Sequence, residues 1–419
     1  MSADSLRRAA VLVATLLVTT IAAADFDAGR RAYDGGAFRE AMGHWLPLAE
    51  AGHADAQYAV AYMHQRGEGV AQDSRAAADW FSRAAQRGHA PAQFALARLY
   101  ESGDGVATDA AEAVRWLRQA ATAGLQVAQH GLGLMYETGR GVARNPDLAV
   151  YWYRKAAEAG NDLGQLGLGL MLQRGEGIPA DPAGAARWLA AAAAQGNPEA
   201  AATLGLMRLR GEVEGGAAGG VELMQRAARQ GLPLAQYNLG IALLQGRGVP
   251  PDPAAAVGWF RKAAASGDLD AQLKLAELLE QGGAGVSADL HESTHWYRTA
   301  AQAGSALAQF RIGLRYRDGA GVTASPVAAL KWLVLAAQQG HAQAIDEAAR
   351  IAGSLPVAAV ARANVNVRAE PSLQAEVIRR VGAGTTARVL SRHRGWIELY
   401  FPDGRQTGYV ADFLLESAS

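Results

Sequence analysis

One segment of the chain has the residue spacing of a zinc hydrolase. His291, Glu292 and His295 reproduce the pattern H-E-x-x-H, in which two histidines one helical turn apart bind zinc and the glutamate acts as base. Glu292 also stands three residues after Asp289, which is the spacing of a capping box at a helix start. No third ligand is evident downstream in the sequence. A zinc hydrolase is therefore the remote alternative, beside a weak surface metal site or a coincidental match.

A second group of residues has the types that bind peptides. Arg392 and Arg394 precede Trp396, and Tyr400 and Tyr409 follow. Aromatic rings beside cations could hold a peptide carboxylate or a stem peptide of the cell wall. The competing interpretation is ordinary strand surface beside a solvated loop. We expect the three rings to face outward and treat all five residues as candidate ligand-binding residues.

The elements that must position the H-E-x-x-H segment belong to a repeat. A glycine followed four residues later by alanine or glycine recurs at intervals of about 36 residues, a period typical of solenoids. Each unit predicts a helix, a glycine loop and a second helix that opens on a capping pair such as Asn145-Pro146. The starting glycines are Gly52, Gly88, Gly124, Gly160, Gly196, Gly231, Gly267, Gly304 and Gly340.

Two positions that recur in successive units, which we call columns, predict how the helices pack. The ninth residue after each starting glycine is alanine or glycine, as at Gly133, and such a small residue lets another helix approach closely. In the second helix a tryptophan such as Trp152 stands four residues before an alanine, Ala156, so that ring and small residue share one helical face. We expect the tryptophans to form the core rather than a ligand-stacking ladder.

The pattern A-x-x-x-L-G-x-x-Y-x-x-G-x-G-V, followed by A-x-x-W-[YFL]-x-x-A-A-x-x-G, is met almost throughout by Gly124 to Ala159. It resembles the Sel-one-like repeat, a relative of the tetratricopeptide repeat, over about residues 52 to 350. The resemblance implies a right-handed α-solenoid whose concave side binds other proteins, in adaptors that often serve assembly or secretion. No catalytic residue belongs to the family pattern, so we assign none and expect no enzyme activity, metal or cofactor.

The amino terminus has the features of a cleaved signal peptide. Arg7 and Arg8 form a charged region, Ala9 to Ile21 is apolar, and Ala22-Ala23-Ala24 offers a small-residue cleavage site before Asp25. The apolar run is shorter than the roughly 20 residues that span a bilayer. We expect a periplasmic or secreted protein without a transmembrane segment in the mature chain.

Composition excludes further classes. The chain has 40 Lys and Arg residues against 40 Asp and Glu residues, and it has no Cys. A balanced charge without a basic stripe argues against nucleic acid as a partner. An exported chain without disulfides must depend on packed helices for its stability.

After Pro356 the hydrophobic period falls from 3.6 to 2, which predicts short strands. Asn366-Val367-Arg368, Gly395-Trp396 and Gly408-Tyr409-Val410 make the segment similar to bacterial Src-homology-three-type domains, whose relatives bind peptidoglycan peptides or protein segments. A small all-β barrel is therefore expected. Its predicted interior is Val365, Val367, Ile378, Val389, Ile397, Leu399, Val410 and Leu414.

The predicted fold is mainly α, with about eight helix-loop-helix repeats, end caps and the terminal barrel. The fifth unit departs most: Leu223 replaces the tryptophan, and its glycine-rich loop lacks a capping residue, which leaves open a tolerated decayed unit or a hinge. The predicted domains are a signal peptide at 1–24, a solenoid at 25–353 (opening hairpin 25–51, repeats 52–339, closing helix 340–353), a linker at 354–357 and a barrel at 358–419.

Three functions remain open. The first is a non-enzymatic adaptor that binds envelope proteins through the solenoid and a peptide or the cell wall through the barrel. The second makes peptidoglycan binding primary, with the repeats as a spacer. The third is the zinc hydrolase described above.

Overall fold

A computed structural model describes residues 25–362 and 364–417. The predicted signal peptide lies outside these residues. The chain forms two compact units that divide at the fifth repeat. The first unit extends to Met207 and includes residues 212–214, and the second contains Arg208–Gly211 and everything from Gly215 onward.

Both units are built from helices joined by short turns, and the barrel follows in the second unit. Helix α1 covers residues 25–34. The other helices are α2 Phe38–Glu50, α3 Ala54–Arg66, α4 Ser74–Gln86, α5 Ala90–Ser102, α6 Ala110–Thr122, α7 Gln126–Thr138, α8 Pro146–Glu158, α9 Asp162–Arg174, α10 Pro182–Ala194, α11 Pro198–Arg210, α12 Gly216–Arg229, α13 Pro233–Gln245, α14 Pro253–Ala265, α15 Leu269–Gln281, α16 Leu290–Gln302, α17 Ala306–Asp318, α18 Pro326–Gln338 and α19 Ala342–Ser354.

The helix starts carry the predicted caps. The side chain of Asn145 accepts a hydrogen bond from the amide of Leu148 at 3.0 Å, and Asp289 accepts one from the amide of Glu292 at 2.9 Å. Each satisfies an amide that has no partner inside its helix. The cap formed by Asp289 is therefore confirmed. The return bond of the predicted capping box is absent from the described residues, because the amide of Asp289 donates to the carbonyl oxygen of Leu279 and the Glu292 carboxylate bonds Arg261 instead.

In several loops the second glycine touches the helix of the preceding repeat, as at Gly69, Gly105, Gly141, Gly177, Gly248 and Gly321. Gly141 has a positive φ of 70°, and a Cβ there would lie 2.1 Å from the carbonyl oxygen of Ala110 at the start of α6. A Cβ on Gly105 would lie equally close to the carbonyl oxygen of Ser74. Only glycine permits both this backbone conformation and this approach.

The column of small residues nine positions after each starting glycine, the small column, is closely approached as predicted. The residue that approaches it differs from the expectation. A Cβ on Gly133 would lie 2.7 Å from the ring of Tyr153, the residue after Trp152. Tyr153 is fully buried, whereas Trp152 is only half-buried. The prediction that the tryptophans form the core is thus confirmed only in part. Trp80, Trp296 and Trp332 are partly buried against the hydrophobic clusters, whereas the residue after the tryptophan reaches the centre, because one step along a helix turns the side chain by about 100°. Trp116 is an exception, being buried.

The fifth repeat has the weak helix start that the sequence indicates. Helix α12 begins after Gly215, whose φ is 108°, and within the described residues no side chain caps it. Met224, the residue after Leu223, fills the core position. The interpretation of this repeat as a hinge stays a prediction.

The carboxyl-terminal module is a seven-stranded antiparallel sheet in the order β3-β2-β6-β5-β4-β1-β7. All eight predicted interior residues belong to its core, five of them fully buried. The strands are β1 Val357–Val360, β2 Val365–Arg368, β3 Val377–Val381, β4 Thr386–His393, β5 Trp396–Phe401, β6 Gln406–Ala411 and β7 Leu415–Ser417.

Candidate functional site

The first unit contains a groove walled by aromatic rings, between α1, α2, α3 and the start of α5. Its volume is about 420 Å³. We call it the aromatic groove. Its walls are mostly apolar, and three polar side chains open into it. The lining residues are Phe26, Arg30, Tyr33, Trp45, Asp55, Tyr58, Ala59, Tyr62, His89 and Pro91.

Contacts among the lining residues, and with Phe81, hold the rings of the groove in place. The indole N–H of Trp45 donates to the carbonyl oxygen of Phe26 at 3.0 Å. The ring of Tyr58 lies 5.6 Å from that of Phe81 and 4.9 Å from that of His89. Tyr33 lies 5.6 Å from Trp45. The walls are therefore preformed, which reduces the entropy lost when a ligand binds.

The polar edge of the groove carries a carboxylate. His89 accepts a hydrogen bond at Nδ1 from the amide of Ala92 at 3.1 Å, so its proton is on Nε2, which lies 3.1 Å from Asp55 Oδ1. Burial lowers the pKa of His89, although Asp55 opposes the shift. A neutral His89 donates to Asp55 without cancelling its charge, and the Asp55 side chain remains 57% exposed.

A second groove of about 520 Å³ continues from the first across α5 to α7. The two share Tyr58, Tyr62 and Pro91. Beyond the second groove, exposed apolar side chains follow on α7 and α9. We call the whole set of Tyr58, Phe94, Val127, Leu134 and Leu163 the first-helix face, because all five stand on the first helices of their repeats.

Three large apolar side chains of the first-helix face are exposed. Val127 is 41% exposed, Leu134 43% and Leu163 42%. Val127 and Leu134 stand two turns apart on α7 and Leu163 stands on α9, and Val127 also lines the second groove. Contiguous exposed apolar surface beside polar residues is typical of protein-binding sites.

The second unit has a smaller pocket of about 240 Å³ with a different character. Tyr237 and Tyr297 line it together with charges of both signs, among them Asp270, Lys274 and Arg311. Two cations, Lys274 and Arg311, line this pocket, whereas among the described residues Arg30 is the one Lys or Arg that lines the aromatic groove.

The H-E-x-x-H segment lies on α16, and its glutamate is engaged elsewhere. The carboxylate of Glu292 accepts two hydrogen bonds from Arg261, at 2.8 and 3.0 Å, which lower its pKa. His291 and His295 are exposed. In the described part of the chain, no three His, Cys, Asp or Glu side chains are grouped so that they could hold a metal ion. The geometry gives the zinc-hydrolase interpretation no support.

The five candidate residues of the barrel do not form one exposed cluster. Arg392 and Arg394 are exposed, and Arg392 pairs with Asp412 at 3.1 Å. Trp396 and Tyr409 are half-buried. Burial and the neighbouring Glu398 raise the pKa of Tyr409.

Tyr400 departs from the expectation that it faces outward. It is 3% exposed and, with Leu390, packs into the hydrophobic cluster of α18 and α19 that includes Leu333 and Ile351. Beside it, Glu398 binds Lys331 of α18, with Nζ to Oε1 at 2.7 Å. The outer face of β5 is thus covered by the last repeat. A ligand role for the five residues stays a prediction.

Sequence reasoning missed the aromatic groove. Its rings come from the opening hairpin and from two repeated positions of the first helix whose role the repeat pattern did not predict. Tyr58 and Tyr62 occupy positions that hold Leu166 and Leu170 three repeats later. Aromatic residues concentrated in these columns near the amino terminus were the available signal.

The fold and these surfaces define a class of protein, the helical-repeat scaffolds that present a binding face. A family model for the Sel1 repeat matches residues 54–89, 90–125, 126–161, 163–197, 198–232, 233–268, 269–305 and 306–341. The chain therefore belongs to the Sel1 repeat family. A model for the bacterial SH3 domain matches residues 363–414. No protein with a curated description matches the chain.

Two solved structures resemble this chain at about 30% sequence identity. A Sel1 repeat protein from Oxalobacter formigenes is 32% identical, with a TM-score of 0.59, over 74% of this chain and 90% of that one. A protective antigen of uropathogenic Escherichia coli with an SLR fold is 30% identical, with a TM-score of 0.44, over 74% of this chain and 82% of that one. The first of them supports the solenoid assignment of the repeats.

Proposed function

We propose that this chain is a non-enzymatic adaptor of the cell envelope that binds another protein through the first-helix face. The observation that carries the proposal is the set of exposed apolar side chains at Val127, Leu134 and Leu163, of which Val127 also lines the second groove. A solenoid presents such a surface over several repeats without forming an enclosed reaction chamber.

Site-specific photocross-linking in the native host tests this proposal. A photoreactive residue at Leu134 or Leu163 is expected to cross-link to the same partner protein. Tyr151 is the matched control, because it is 50% exposed but stands on α8, the second helix of its repeat. Cross-linking that is absent from both leucine positions, or equally strong from Tyr151, would contradict the proposal.

The proposed location rests on the sequence of the amino terminus. Arg7, Arg8 and the apolar run Ala9 to Ile21 support export, and Ala24 offers a cleavage site. Among the described residues, no helix is long and apolar enough to cross a membrane. The intact mass of the protein isolated from its host is expected to fit a chain that begins at Asp25, and retention of Met1 would refute cleavage.

Peptidoglycan binding by the barrel is a second candidate, favoured by the exposed pair Arg392 and Arg394 beside Trp396. The full chain is expected to sediment with purified peptidoglycan, and substitution of both arginines by Ala is expected to release it. Unchanged sedimentation of the double variant would remove this site. The burial of Tyr400 leaves less of this face free than the sequence indicates.

A further inference from the structure

We propose that the aromatic groove binds a segment of the partner protein that carries a lysine or arginine beside apolar side chains, with the basic group paired to Asp55. This inference rests on the proposed function and specifies the chemistry of the partner. It assigns Asp55 as the residue that selects for charge, and the rings around it as the walls that accept the apolar part of the segment.

The rings suit a side chain that is apolar along its stem and cationic at its tip. Lysine and arginine bury their methylene groups against apolar surface while the charged end stays near water. The half-buried ring of Tyr58 also attracts cations through its ring electrons. Because Tyr58 packs against Phe81 and the buried Trp45 is bonded to Phe26, little order has to be created on binding.

The charges at the groove favour a cation over an anion. Arg30, its only lining cation among the described residues, already pairs with Asp27 at 3.1 Å. His89 donates to Asp55 through Nε2, and His53 Nδ1, 4.0 Å from Asp55 Oδ2, accepts from the amide of Ala56 at 3.3 Å. A basic ligand would therefore meet the carboxylate of Asp55.

The repeat supplies a matched control residue. Asp270 occupies the position of Asp55 in the seventh repeat, three residues after the starting glycine. Its pocket also contains Lys274 and Arg311. The same substitution, aspartate to asparagine, therefore removes a carboxylate from a mostly apolar groove in one place and from a pocket lined by two cations in the other.

The probe is a library of short random peptides displayed on phage, selected on the wild-type mature chain. Selected sequences are expected to share a Lys or Arg next to apolar residues. A synthetic peptide from the selection is expected to bind Asp55→Asn about fivefold more weakly than wild type, as for a partly exposed charge pair, and to bind Asp270→Asn like wild type. Replacing its basic residue by Gln should remove the difference between wild type and Asp55→Asn.

Three outcomes would overturn the inference. They are the selection of acidic or uncharged peptides, the selection of none, and equal binding to wild type and Asp55→Asn. The asparagine keeps the size of the side chain and a hydrogen-bonding oxygen toward His89, so the fold is preserved. Photocross-linking at Leu134 and Leu163 is independent of this result, so failure of the adaptor proposal and failure of the Asp55 inference are distinguishable.

Discussion

Single residues decide how closely the helices of this repeat approach. The small column places glycine or alanine opposite a bulky side chain, as Gly240 stands opposite Phe260. A tightly packed interior has little room for added methyl groups. Gly258 of α14 lacks this constraint: within the described residues, no heavy atom lies within 4 Å of the position of its Cβ.

Substitution of valine at these two glycines is expected to give different results. Gly240→Val forces a branched side chain to within 2.7 Å of the Phe260 ring, and it should lower the free energy of unfolding by about 1–3 kcal/mol. Gly258→Val should change it by less than about 0.5 kcal/mol. Urea unfolding followed by circular dichroism measures both. Equal effects at the two sites would contradict the packing described for the small column.

His130 is expected to make stability depend on pH. Burial against Tyr153 lowers its pKa, outweighing Asp162 and Glu137. The unfolded chain therefore binds a proton more readily, and folding stability falls as the pH drops below about 6.5. His130→Phe, which copies Phe94 of the preceding repeat, should reduce the loss of melting temperature between about pH 8 and pH 5. The comparison at about pH 8 isolates any effect unrelated to protonation, and an unchanged pH dependence would refute the prediction.

Helices differ in how firmly they start. Most second helices open on a side chain that accepts amide hydrogen bonds, as Asp252 does from Ala255 at 2.9 Å before α14. Helix α12 has Gly215 in that place and Gly216, Gly219 and Gly220 in its first turns. Each glycine inside a helix costs about 1 kcal/mol relative to alanine, so this helix start is the weakest of those described.

Amide hydrogen exchange is expected to be fastest at the start of α12. Amides in its first two turns should exchange faster than the corresponding amides of α14, since fewer interactions oppose local opening. Gly219→Ala should slow exchange there, because among the described residues only the flexible end of Arg208 comes near its Cβ, at 3.3 Å. Exchange as slow as in α14 would remove the hinge interpretation of the fifth repeat.

At the scale of the whole molecule, the barrel of the second unit packs against the last helices of the repeats. Tyr400 and Leu390 belong to the cluster formed by α18 and α19, and the carbonyl oxygen of Arg405 accepts a hydrogen bond from Gln338 at 2.7 Å. Glu398 is 6% exposed and accepts from Lys331 and from Ser391. Within the second unit, the last repeats and the barrel thus share a hydrophobic cluster.

A double-mutant cycle tests the ion pair at this junction. Lys331→Met leaves a buried carboxylate without its cation and should lower the free energy of unfolding by about 1–3 kcal/mol. Glu398→Gln keeps hydrogen bonding and should cost less. A coupling energy of about 1 kcal/mol is expected from the double variant. Additive effects would show that the junction is held by its apolar contacts alone.

The repeated spacing of glycine, small and capping residues was enough to predict the helices, their loops and the end of the solenoid. Asn145 and Asp289 cap helices through bonds within a few residues, and the alternation of Val365 and Val367 marks a strand. These features depend on local interactions, so a single sequence contains them.

The surfaces that bear on function depend on residues far apart in the chain, and only the tertiary structure brought them together. Phe26 and Pro91 meet across one groove, and Tyr400 is buried by α18 and α19 rather than exposed. Trp152 and Tyr153 are adjacent and both aromatic, yet only the direction of the neighbouring helix decides which one enters the core. Local patterns fix the shape of each helix and strand, whereas burial and charge at a site follow from which elements meet.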